Sequence, residues 1–337
     1  MAKVSILGAG AWGTALAILL GNNGHDVTLW SALAPEVEVL RKDRELKNKL
    51  PGIKLPDRVI ISDDLESTCK DNDLIVFAVA SPYVRRTAHI AKPYISKSQI
   101  IVNVGKGIEE NTLDTLTDIL KEELPDADIA VLSGPSHAEE VSREIPTTCV
   151  VGADSKETAH FVQDVFMSER FRVYTSPDVI GIELGGSIKN VIALAAGIAD
   201  GLGFGDNTKA ALMTRGIAEI SRLGVAMGGQ LETFAGLSCV GDLIVTCTSK
   251  HSRNRNAGYF IGKGYSMQEA MDEVKQIVEG VYSAKAAYAL SKKYNIEMPI
   301  VEQINQVLFE GKSPEEAVSD LLLRDKRTEY SQLEWKK

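Results

Sequence analysis

Cysteine and histidine are both scarce in this chain, and neither is arranged as a disulfide or metal framework. Four cysteines occur among 337 residues, with no Cys-x-x-Cys pair. Scattered cysteines of this kind predict reduced, mostly buried thiols, which are typical of a cytosolic protein. The five histidines show no His-x-x-x-His or other ligand spacing. We therefore expect no metal site.

Basic residues are also fewer than acidic ones. The chain carries 37 Lys and Arg against 46 Asp and Glu, a net charge of −9. Without a basic patch no nucleic-acid partner is expected, although a few cations in one cleft suffice for a small phosphorylated substrate. No apolar run approaches the roughly 20 residues that span a bilayer. A strand pattern begins at once and leaves no room for a signal peptide, so we expect a cytoplasmic protein without membrane insertion.

The strongest positive feature is a strand, a glycine turn and a helix at the start of the chain. Val4–Leu7 is apolar, Gly8, Gly10 and Gly13 follow it, and a helical apolar pattern begins at Ala15. The first glycine allows a tight turn, the second lets the backbone approach a pyrophosphate, and the third lets the helix pack closely on the strand. Free N–H groups at the helix start face the phosphates. The pattern predicts dinucleotide binding.

The first half of the chain alternates strand-like and helical runs. Several strand candidates are unbroken apolar runs, as expected for strands covered on both faces. Strand–helix–strand repetition predicts a mostly parallel sheet with its ligand at the carboxyl ends of the strands. The candidates are Val4–Leu7, Val27–Trp30, Val59–Ile61, Leu74–Val79, Ile100–Val104, Ile129–Leu132, Thr147–Val151 and Arg172–Tyr174.

The pattern changes near residue 176. Ser176-Pro177-Asp178 predicts an N-cap, a proline at the first helical position and an acid in the first turn of a long helix, Val179 to about Leu202. Only helical segments follow, two of them opened by capping boxes at Ser266 and Ser313. We therefore expect an α/β fold: a Rossmann-like, mostly parallel N-terminal domain (residues 1–178), then an all-helical domain (residues 179–337), with a cleft between them.

The residues after the second strand do not decide between NAD and NADP. An acid there binds the ribose 2′-hydroxyl, whereas a nearby arginine accommodates a 2′-phosphate. This chain has Ser31-Ala32-Leu33 instead, and Asp26 lies too early. Ser31 suits either group, and Arg41 or Lys42 could reach back. Weak discrimination between the two coenzymes is expected.

Two polar clusters follow strands at the predicted ligand edge. Lys106 stands between two glycines, so its backbone can approach a ligand while its ammonium enters the cleft; a solvated loop is the alternative. Residues 133–140 offer N–H groups and hydroxyls to an anionic or hydroxylated ligand. The alternative there is an ordinary turn with Ser136 as N-cap and Glu139 completing a capping box. His137 is interpreted as a hydrogen-bonded support.

A third feature is a lysine in the long helix. Gly185 and Gly186 together cost on the order of 2 kcal/mol relative to alanine, which indicates a close neighbour there, and the nicotinamide ring suits that position. Lys189 lies one turn beyond Gly185 with apolar flanks. Burial lowers a lysine pKa and fits it to remove a proton near neutral pH; a lysine reaching out to solvent is the alternative. Asp242 is a candidate to orient or protonate Lys189.

A basic segment completes the set. Residues 251–256 contain Arg253, whose planar fork suits phosphate, beside serine and asparagine donors; a solvated loop is the alternative. With the glycine turn, Lys189 and Asp242, this segment predicts hydride transfer to or from a small phosphorylated alcohol or ketone.

Eight motifs occur in a fixed order: Gly-Ala-Gly-Ala-Trp-Gly-Thr (8–14), Leu-Pro-Gly-Ile-Lys-Leu-Pro (50–56), Val-Gly-Lys-Gly-Ile (104–108), Leu-Ser-Gly-Pro-Ser-His-Ala-Glu-Glu-Val (132–141), Ile-Lys-Asn-Val-Ile-Ala (188–193), Gly-Asp-Leu-Ile-Val-Thr-Cys (241–247), Ser-Arg-Asn-Arg (252–255) and Val-Glu-Gly (278–280). With this order and spacing the chain resembles the NAD(P)-dependent glycerol-3-phosphate dehydrogenases of bacterial type over essentially its whole length. The resemblance implies interconversion of sn-glycerol 3-phosphate and dihydroxyacetone phosphate with NAD or NADP, supply of phospholipid synthesis, and a homodimer.

The resemblance also implies roles for individual residues. Lys189 would accept the proton when the alcohol is oxidised, and Asp242 and Thr246 would complete the catalytic set. The substrate would contact Lys106, Gly134, Ser136, Lys189, Asp242, Ser252, Arg253 and Asn254, with Arg253 taking the phosphate. The coenzyme would contact Ala11, Trp12, Lys106, Ala138, Arg253, Ile277 and Glu279, besides the turn of Gly8, Gly10 and Gly13.

Two departures from the family pattern affect the grip on a 2′-phosphate, not the reaction. The family usually has arginine or histidine just after Trp30, and often an aromatic residue before Leu50, where Lys49 stands.

Two other functions are weighed against the dehydrogenase. A reductase of another small keto acid would share the glycine turn and the buried lysine but would not need Arg253. A dinucleotide-sensing module would not need Lys189.

Overall fold

The computed structural model describes residues 1–97, 99–326 and 328–329. Within this part of the chain, eight strands form one sheet in the order β3-β2-β1-β4-β5-β6-β7-β8. The strands are β1 (Lys3–Leu7), β2 (Asp26–Trp30), β3 (Ile60–Ser62), β4 (Leu74–Phe77), β5 (Ile100–Asn103), β6 (Asp128–Ser133), β7 (Thr147–Ala153) and β8 (Phe171–Ser176). All eight predicted strands are confirmed, with ends displaced by a residue or two.

Helices connect the strands and cover both faces of the sheet. Alternate residues of the strands enter separate apolar clusters: Leu74 and Val76 belong to one, and Ile75 and Phe77 to the other. Strands buried on both sides are apolar throughout for this reason. The helices of this half are α1 (Ala11–Asn22), α2 (Ala34–Asp43), α3 (Leu65–Cys69), α4 (Val84–Ala91), α5 (Leu116–Glu123), α6 (Ala138–Val141) and α7 (Lys156–Phe166).

The sheet is parallel except between β6 and β7. The segment joining those two strands contains only the four-residue helix α6, whereas a parallel crossover usually carries a full helix. Leu7 of β1 lies opposite Trp30 and Phe77, and Phe77 lies opposite Asn103. The carboxyl ends of β1, β2, β4 and β5 therefore meet at one edge. The predicted α/β class with a mostly parallel sheet is confirmed.

The second half of the described chain is helical, as predicted. Its helices surround α8, in which 21 of 23 residues are buried. The capping boxes at Ser266 and Ser313 are confirmed. The helices are α8 (Val179–Gly201), α9 (Asp206–Ala226), α10 (Leu231–Phe234), α11 (Asp242–Thr248), α12 (Arg253–Gly262), α13 (Met267–Val274), α14 (Glu279–Lys293), α15 (Pro299–Phe309) and α16 (Pro314–Leu322), with a π-helical segment (Leu237–Gly241) before α11.

The start of α8 corrects one prediction. Ser176 is the last residue of β8, and the N-cap is Asp178, whose carboxylate accepts from the N–H of Gly181 at 3.0 Å. The same carboxylate also accepts from the N–H of Gln230 at 2.8 Å. Asp178 is the cap because its carboxylate accepts from a first-turn N–H of α8 and is also fixed by Gln230, whereas Ser176 lies two residues further from the helix. The predicted division of the chain at residue 178 stays a prediction, and residues 327 and 330–337 of the predicted second domain lie outside the described residues.

The expectation that no apolar run approaches the length of a membrane span is wrong. Val179–Gly201 is 23 residues long with a mean hydropathy of 1.5, but 94% of its most apolar window is buried inside the protein. A helix that is apolar all round is also what the centre of a helical core requires. A second stretch, Leu231–Thr248, passes the same test of length and composition and is 39% buried. It comprises α10, the π-helical segment and α11.

The prediction for the cysteines is confirmed. All four, Cys69, Cys149, Cys239 and Cys247, are free and buried. Burial raises the pKa of each thiol to about 12. Neutral thiols of this kind behave as small apolar side chains in a core.

Candidate active site

The glycine turn between β1 and α1 has the backbone that a dinucleotide requires. Gly8 has φ +115°, and a Cβ there would lie 2.7 Å from the carbonyl oxygen of Ala78. At Gly13 a Cβ would collide with the carbonyl of Gly8, so helix and strand are in close contact. Nothing lies within 4 Å of a Cβ placed on Gly10, which is the N-cap of α1 and has no side-chain cap. The open position beside uncapped N–H groups fits a pyrophosphate.

The remaining predicted coenzyme residues of this half lie around that turn. Ala11 and Trp12 open α1, and the indole N–H of Trp12 donates to the carbonyl of Val104 at 3.2 Å. Trp12 thereby links the turn to the loop that carries Lys106. Ala138 begins α6, which packs against α1.

Three predicted residues meet at the centre of the site. The Lys189 ammonium lies 2.9 Å from Oδ1 of Asp242, and the Lys106 ammonium lies 2.6 Å from Oδ2. Lys189 comes from α8, Asp242 opens α11, and Lys106 stands in the loop after β5. One carboxylate therefore joins cations from the sheet and from the helical part of the chain.

Burial and charge set the protonation of this cluster. Burial lowers the pKa of Lys189 to about 8, with Asp242 opposing and Lys106 assisting that shift. Burial alone would raise the pKa of Asp242, but the two ammonium groups outweigh it and hold the pKa below its ordinary value. A carboxylate that stays ionised beside a lysine that titrates near neutral pH is the arrangement expected of a proton carrier and its orienting partner.

Thr246 and Gly134 complete the cluster. Thr246 lies one turn beyond Asp242, and its Oγ1 is 2.6 Å from the Lys189 Nζ. The carbonyl of Gly134 accepts from the Lys106 Nζ at 3.0 Å. Ser136 also donates to that carbonyl, at 3.0 Å. The alternative of Ser136 as N-cap, with Glu139 completing a capping box, is wrong, because the N-cap of α6 is His137 and the Ser136 hydroxyl turns back to Gly134. His137 itself makes no side-chain cap bond.

His137 lies beside the lysine–aspartate cluster. Burial, and next the charge of Lys189, lower the pKa of its imidazole to about 4. The ring is therefore neutral at physiological pH. Its centroid lies 6.0 Å from that of His251, in an edge-on arrangement.

The predicted phosphate-binding residues gather at the start of α12. Ser252 is the N-cap and accepts from the N–H of Arg255 at 3.2 Å. Arg253 is exposed, and its Nη1 donates to the carbonyl of Ile277 at 3.2 Å. Asn254 is buried instead: it donates to Oδ1 of Asn190 at 2.8 Å and accepts from the N–H of Gly280 at 2.8 Å. Asn254 thus joins α8, α12 and α14.

Glu279 opens α14 and crosses to the sheet. Its carboxylate accepts from both the N–H and the hydroxyl of Ser81, in the loop after β4. Burial raises the pKa of Glu279, against the opposing effect of the hydrogen bonds from Ser81. A Cβ on Gly107 would lie 3.4 Å from this carboxylate, so Glu279 is adjacent to the Lys106 loop.

The close neighbours of the glycine pair in α8 differ from the expectation. A Cβ on Gly185 would lie 2.9 Å from Cβ of Cys239, in the π-helical segment. A Cβ on Gly186 would lie 2.8 Å from the Ser133 hydroxyl and near the Lys106 side chain. Protein atoms therefore supply the tight contact that the sequence assigned to the nicotinamide ring.

The carboxyl end of β2 holds a carboxylate that the sequence pattern did not reveal. The Ser31 hydroxyl donates to Glu36 at 2.6 Å, and the Lys49 ammonium lies 2.5 Å from the other oxygen of Glu36. Arg41 is directed elsewhere, pairing with Asp63 at 2.7 Å. The reach of Arg41 or Lys42 toward the coenzyme stays a prediction. Glu36 lies six residues beyond the end of the strand, in α2, so strand-end spacing could not identify it.

A glycine turn built for a pyrophosphate and a buried, titratable lysine bound to a carboxylate define the class as nicotinamide-dependent dehydrogenases. The family descriptions "NAD-dependent glycerol-3-phosphate dehydrogenase N-terminus" and "C-terminus" match residues 3–159 and 178–319. The chain belongs to this family and is an NAD(P)-dependent oxidoreductase of that kind, as the resemblance predicted.

Individual relatives agree with this assignment. A protein of Agathobacter rectalis named glycerol-3-phosphate dehydrogenase [NAD(P)+] is 60% identical, with all of both chains covered. One of the same name from Fusobacterium nucleatum is 57% identical, covering 98% of this chain and 99% of its own. The crystal structure of glycerol-3-phosphate dehydrogenase from Coxiella burnetii is 37% identical with a TM-score of 0.93, covering 96% of this chain and 99% of its own.

Proposed function

We propose that the protein interconverts sn-glycerol 3-phosphate and dihydroxyacetone phosphate, with Lys189 as the group that carries the proton. The observation that carries this proposal is the buried contact of Lys189 with Asp242 and Thr246. A nicotinamide coenzyme held at the glycine turn would supply the chemistry of hydride transfer at C2 of the substrate.

Lys189 moves the proton that accompanies the hydride. In oxidation its neutral amine removes the proton of the C2 hydroxyl as the C–H bond breaks and the carbonyl forms. In reduction its ammonium returns a proton to the C2 oxygen. A pKa of about 8 keeps both forms accessible near neutral pH. Asp242 and Thr246 orient the amine, because both bind it directly.

Lys106 binds the substrate as a second cation, held at the other oxygen of Asp242. Its ammonium is held between Asp242 and the carbonyl of Gly134. Gly134 and Ser136 line the same loop and offer polar groups to the substrate. A second cation near the reacting oxygen stabilises the negative charge that develops there during reduction.

Arg253 binds the phosphate, with Ser252 beside it and Asn254 fixing the helix start. The exposed guanidinium stands at the start of α12, and Asn254 ties that helix to Asn190, the residue after Lys189. Arginine binds phosphate through two parallel hydrogen bonds. The distance between phosphate and proton carrier is thus set by neighbouring helices.

The coenzyme is proposed to lie along the edge of the sheet from the glycine turn to the Lys106 loop. Gly8, Gly10 and Gly13 receive the pyrophosphate, and Ala11 and Trp12 lie at the same helix start. On the side of the helical half, the proposed contacts are those of Arg253, Ile277 and Glu279, and on the side of the sheet those of Lys106 and Ala138. Either NAD or NADP serves.

We also propose a cytoplasmic location and the supply of glycerol 3-phosphate to phospholipid synthesis. Four free, buried thiols suit a reducing compartment. The family resemblance supports the metabolic role and a homodimer. Sedimentation equilibrium of the purified chain tests the dimer, since a mass of one chain at micromolar concentration would contradict it.

The reaction is tested by initial rates of NADH and NADPH oxidation with dihydroxyacetone phosphate. We expect turnover with at least one coenzyme, and a far lower kcat/KM with unphosphorylated dihydroxyacetone, because Arg253 has no phosphate to bind. A keto acid such as ketopantoate serves as the competing substrate. Turnover of the keto acid but not of the phosphorylated ketone would overturn the proposed substrate, and no turnover with any would overturn the activity.

A further inference from the structure

The backbone on either side of Lys106 is held by two buried side chains. Oδ1 of Asn103 accepts from the N–H of Gly105 at 3.1 Å, and its amide donates to the carbonyl of the same glycine at 3.1 Å. The Ser187 hydroxyl accepts from the N–H of Gly107 at 2.9 Å and donates to the carbonyl of that glycine at 3.1 Å. Each glycine next to Lys106 therefore has both backbone groups bound by one side chain.

The two anchors belong to different parts of the fold. Asn103 is the last residue of β5, and Ser187 lies in α8, two residues before Lys189. Both are almost fully buried, at 0% and 1% exposure. The loop is thus bound to the sheet at one glycine and to the helix of the proton carrier at the next.

Neighbouring atoms leave little space for another loop conformation. A Cβ on Gly105 would lie 3.2 Å from the carbonyl oxygen of Val79. One on Gly107 would collide with the side chain of Ser81, which is itself bound to Glu279. A lysine in a free loop would lose both loop and side-chain freedom each time it engaged a ligand. In this protein the loop loses its conformational freedom when the chain folds, so ligand binding does not have to order it.

We infer that Asn103 and Ser187 are positioning residues that present Lys106 to Asp242 and to the substrate. The inference rests on the proposed role of Lys106. A charged group that is held in place before the reaction stabilises developing charge without having to move. A small displacement of such a group therefore reduces the rate strongly. The effect of each anchor should therefore pass through Lys106.

A double-mutant cycle tests this coupling. Ser187→Ala removes both bonds to Gly107, and we expect kcat/KM for dihydroxyacetone phosphate to fall by roughly tenfold to a hundredfold. In a Lys106→Met background the same substitution should change kcat/KM by less than about twofold, because nothing remains to position. Ser291→Ala is the matched control: Ser291 is a buried helical serine whose hydroxyl donates to the carbonyl of Tyr288 within α14. It should leave kcat/KM unchanged.

The pH dependence gives a second readout that a general loss of packing would not produce. Lys189 is surrounded by Asp242, Lys106, Cys247 and His137. Displacing the Lys106 ammonium removes a charge that lowers the pKa of Lys189. The pH midpoint of glycerol 3-phosphate oxidation should therefore move upward in Ser187→Ala and in Lys106→Met, and stay in place in Ser291→Ala.

Separate outcomes distinguish this inference from the proposed function. Equal losses from Ser187→Ala in the wild-type and Lys106→Met backgrounds would overturn the positioning role and leave the reaction intact. Full activity of Lys106→Met would overturn the role of Lys106 and the inference with it. Asn103→Leu provides an independent arm if Ser187→Ala does not fold. It should likewise lose its effect in the Lys106→Met background, and an undiminished effect there would contradict the inference.

Discussion

Lys189 and Asp242 form a 2.9 Å ion pair in which both side chains are at most 5% exposed. A buried ammonium without a counter-ion would be strongly destabilised, and a carboxylate shared with a second lysine neutralises it only in part. The pair therefore holds Lys189 in place and leaves it able to release a proton at about pH 8.

The first prediction is a pH dependence of opposite sign in the two directions. Oxidation of glycerol 3-phosphate needs the neutral amine of Lys189, so its rate should rise with pH, with a midpoint at about 8. Reduction of dihydroxyacetone phosphate needs the ammonium, so its rate should fall above about pH 8. Steady-state kinetics from pH 6 to 10 measure both limbs. If the rates of oxidation and reduction both rose, or both fell, with pH, a single proton carrier would be contradicted.

The second prediction concerns the phosphate. Arg253→Ala should raise KM for dihydroxyacetone phosphate by roughly tenfold to a hundredfold, the effect of losing a hydrogen-bonded charge pair. At coenzyme concentrations that saturate the variant, the low rate with unphosphorylated dihydroxyacetone should not change, since that substrate has no phosphate for the guanidinium to bind. Lys250→Ala removes an exposed cation three residues earlier and serves as the control. If both substrates weakened equally, Arg253 would have a structural role instead.

The third prediction concerns the coenzyme. Glu36 is bound by Ser31 and Lys49 at the carboxyl end of β2, where the ribose of a dinucleotide lies. Glu36→Gln removes the acid and leaves Lys49 unpaired, so the ratio of kcat/KM for NADPH to that for NADH should increase. The increase should be roughly fivefold, the upper end of what a solvent-accessible ion pair contributes, because this pair is only partly exposed. Glu38→Gln alters an exposed acid of the same helix and should leave the ratio unchanged. An unaltered ratio in Glu36→Gln would exclude Glu36 from coenzyme discrimination.

The fourth prediction concerns stability. Glu183 is buried in α8 and accepts from the N–H and hydroxyl of Thr117, the second residue of α5. Burial raises its pKa from 4.5 to about 7, so the folded protein binds a proton that the unfolded chain releases between those values. The contribution of Glu183 to the free energy of unfolding should therefore decrease as the pH rises from about 4.5 to about 7 and lose nothing further above that.

Thermal unfolding of Glu183→Gln measures this effect. The neutral amide has no ionisation penalty, so the Tm of the variant relative to wild type should increase across the same pH interval and then level off. Glu169→Gln, at an exposed position, should show a constant difference. A Tm difference for Glu183→Gln that is the same at pH 4 and pH 8 would contradict the prediction.

The sheet was predictable because strands covered on both faces form largely apolar runs. All eight appear in the sequence as such runs or as short alternating ones. The reversed direction of β7, and of β8 parallel to it, was not predictable from the residues of these strands, since the composition of a strand does not encode its direction. It follows from the short connection after β6, which carries only the four residues of α6.

The site was predictable where local sequence signals burial or backbone conformation. The apolar flanks of Lys189 indicated that it is desolvated, and the spacing of Gly8, Gly10 and Gly13 indicated the turn. The contact of Gly185 with Cys239 was not predictable. Two glycines in a helix indicate that some group packs closely against them, but they do not identify that group.

Three further residues of the proposed site have no local signature in the sequence. Asn103 is a single polar residue at the end of an apolar strand, and Ser187 is a small residue after two glycines. Their function depends on backbone groups of one loop that only the folded chain brings to them. Glu36 is similar: its partner Lys49 lies thirteen positions away along the chain.

The central claim, that the amine of Lys189 carries the proton, is tested most directly by chemical rescue. Lys189→Ala should reduce kcat by roughly a hundredfold to ten-thousandfold, the range for losing a general acid–base group, while NADH binding measured by fluorescence stays within a few-fold of wild type. Lys292→Ala, an exposed lysine of α14, should retain full activity. Methylamine or ethylamine, which fit the space of the removed side chain, should restore activity to Lys189→Ala with saturation. Among amines of equal size, the restored oxidation rate should increase with the basicity of the amine. A Lys189→Ala enzyme whose kcat matches that of wild type without added amine would contradict the account.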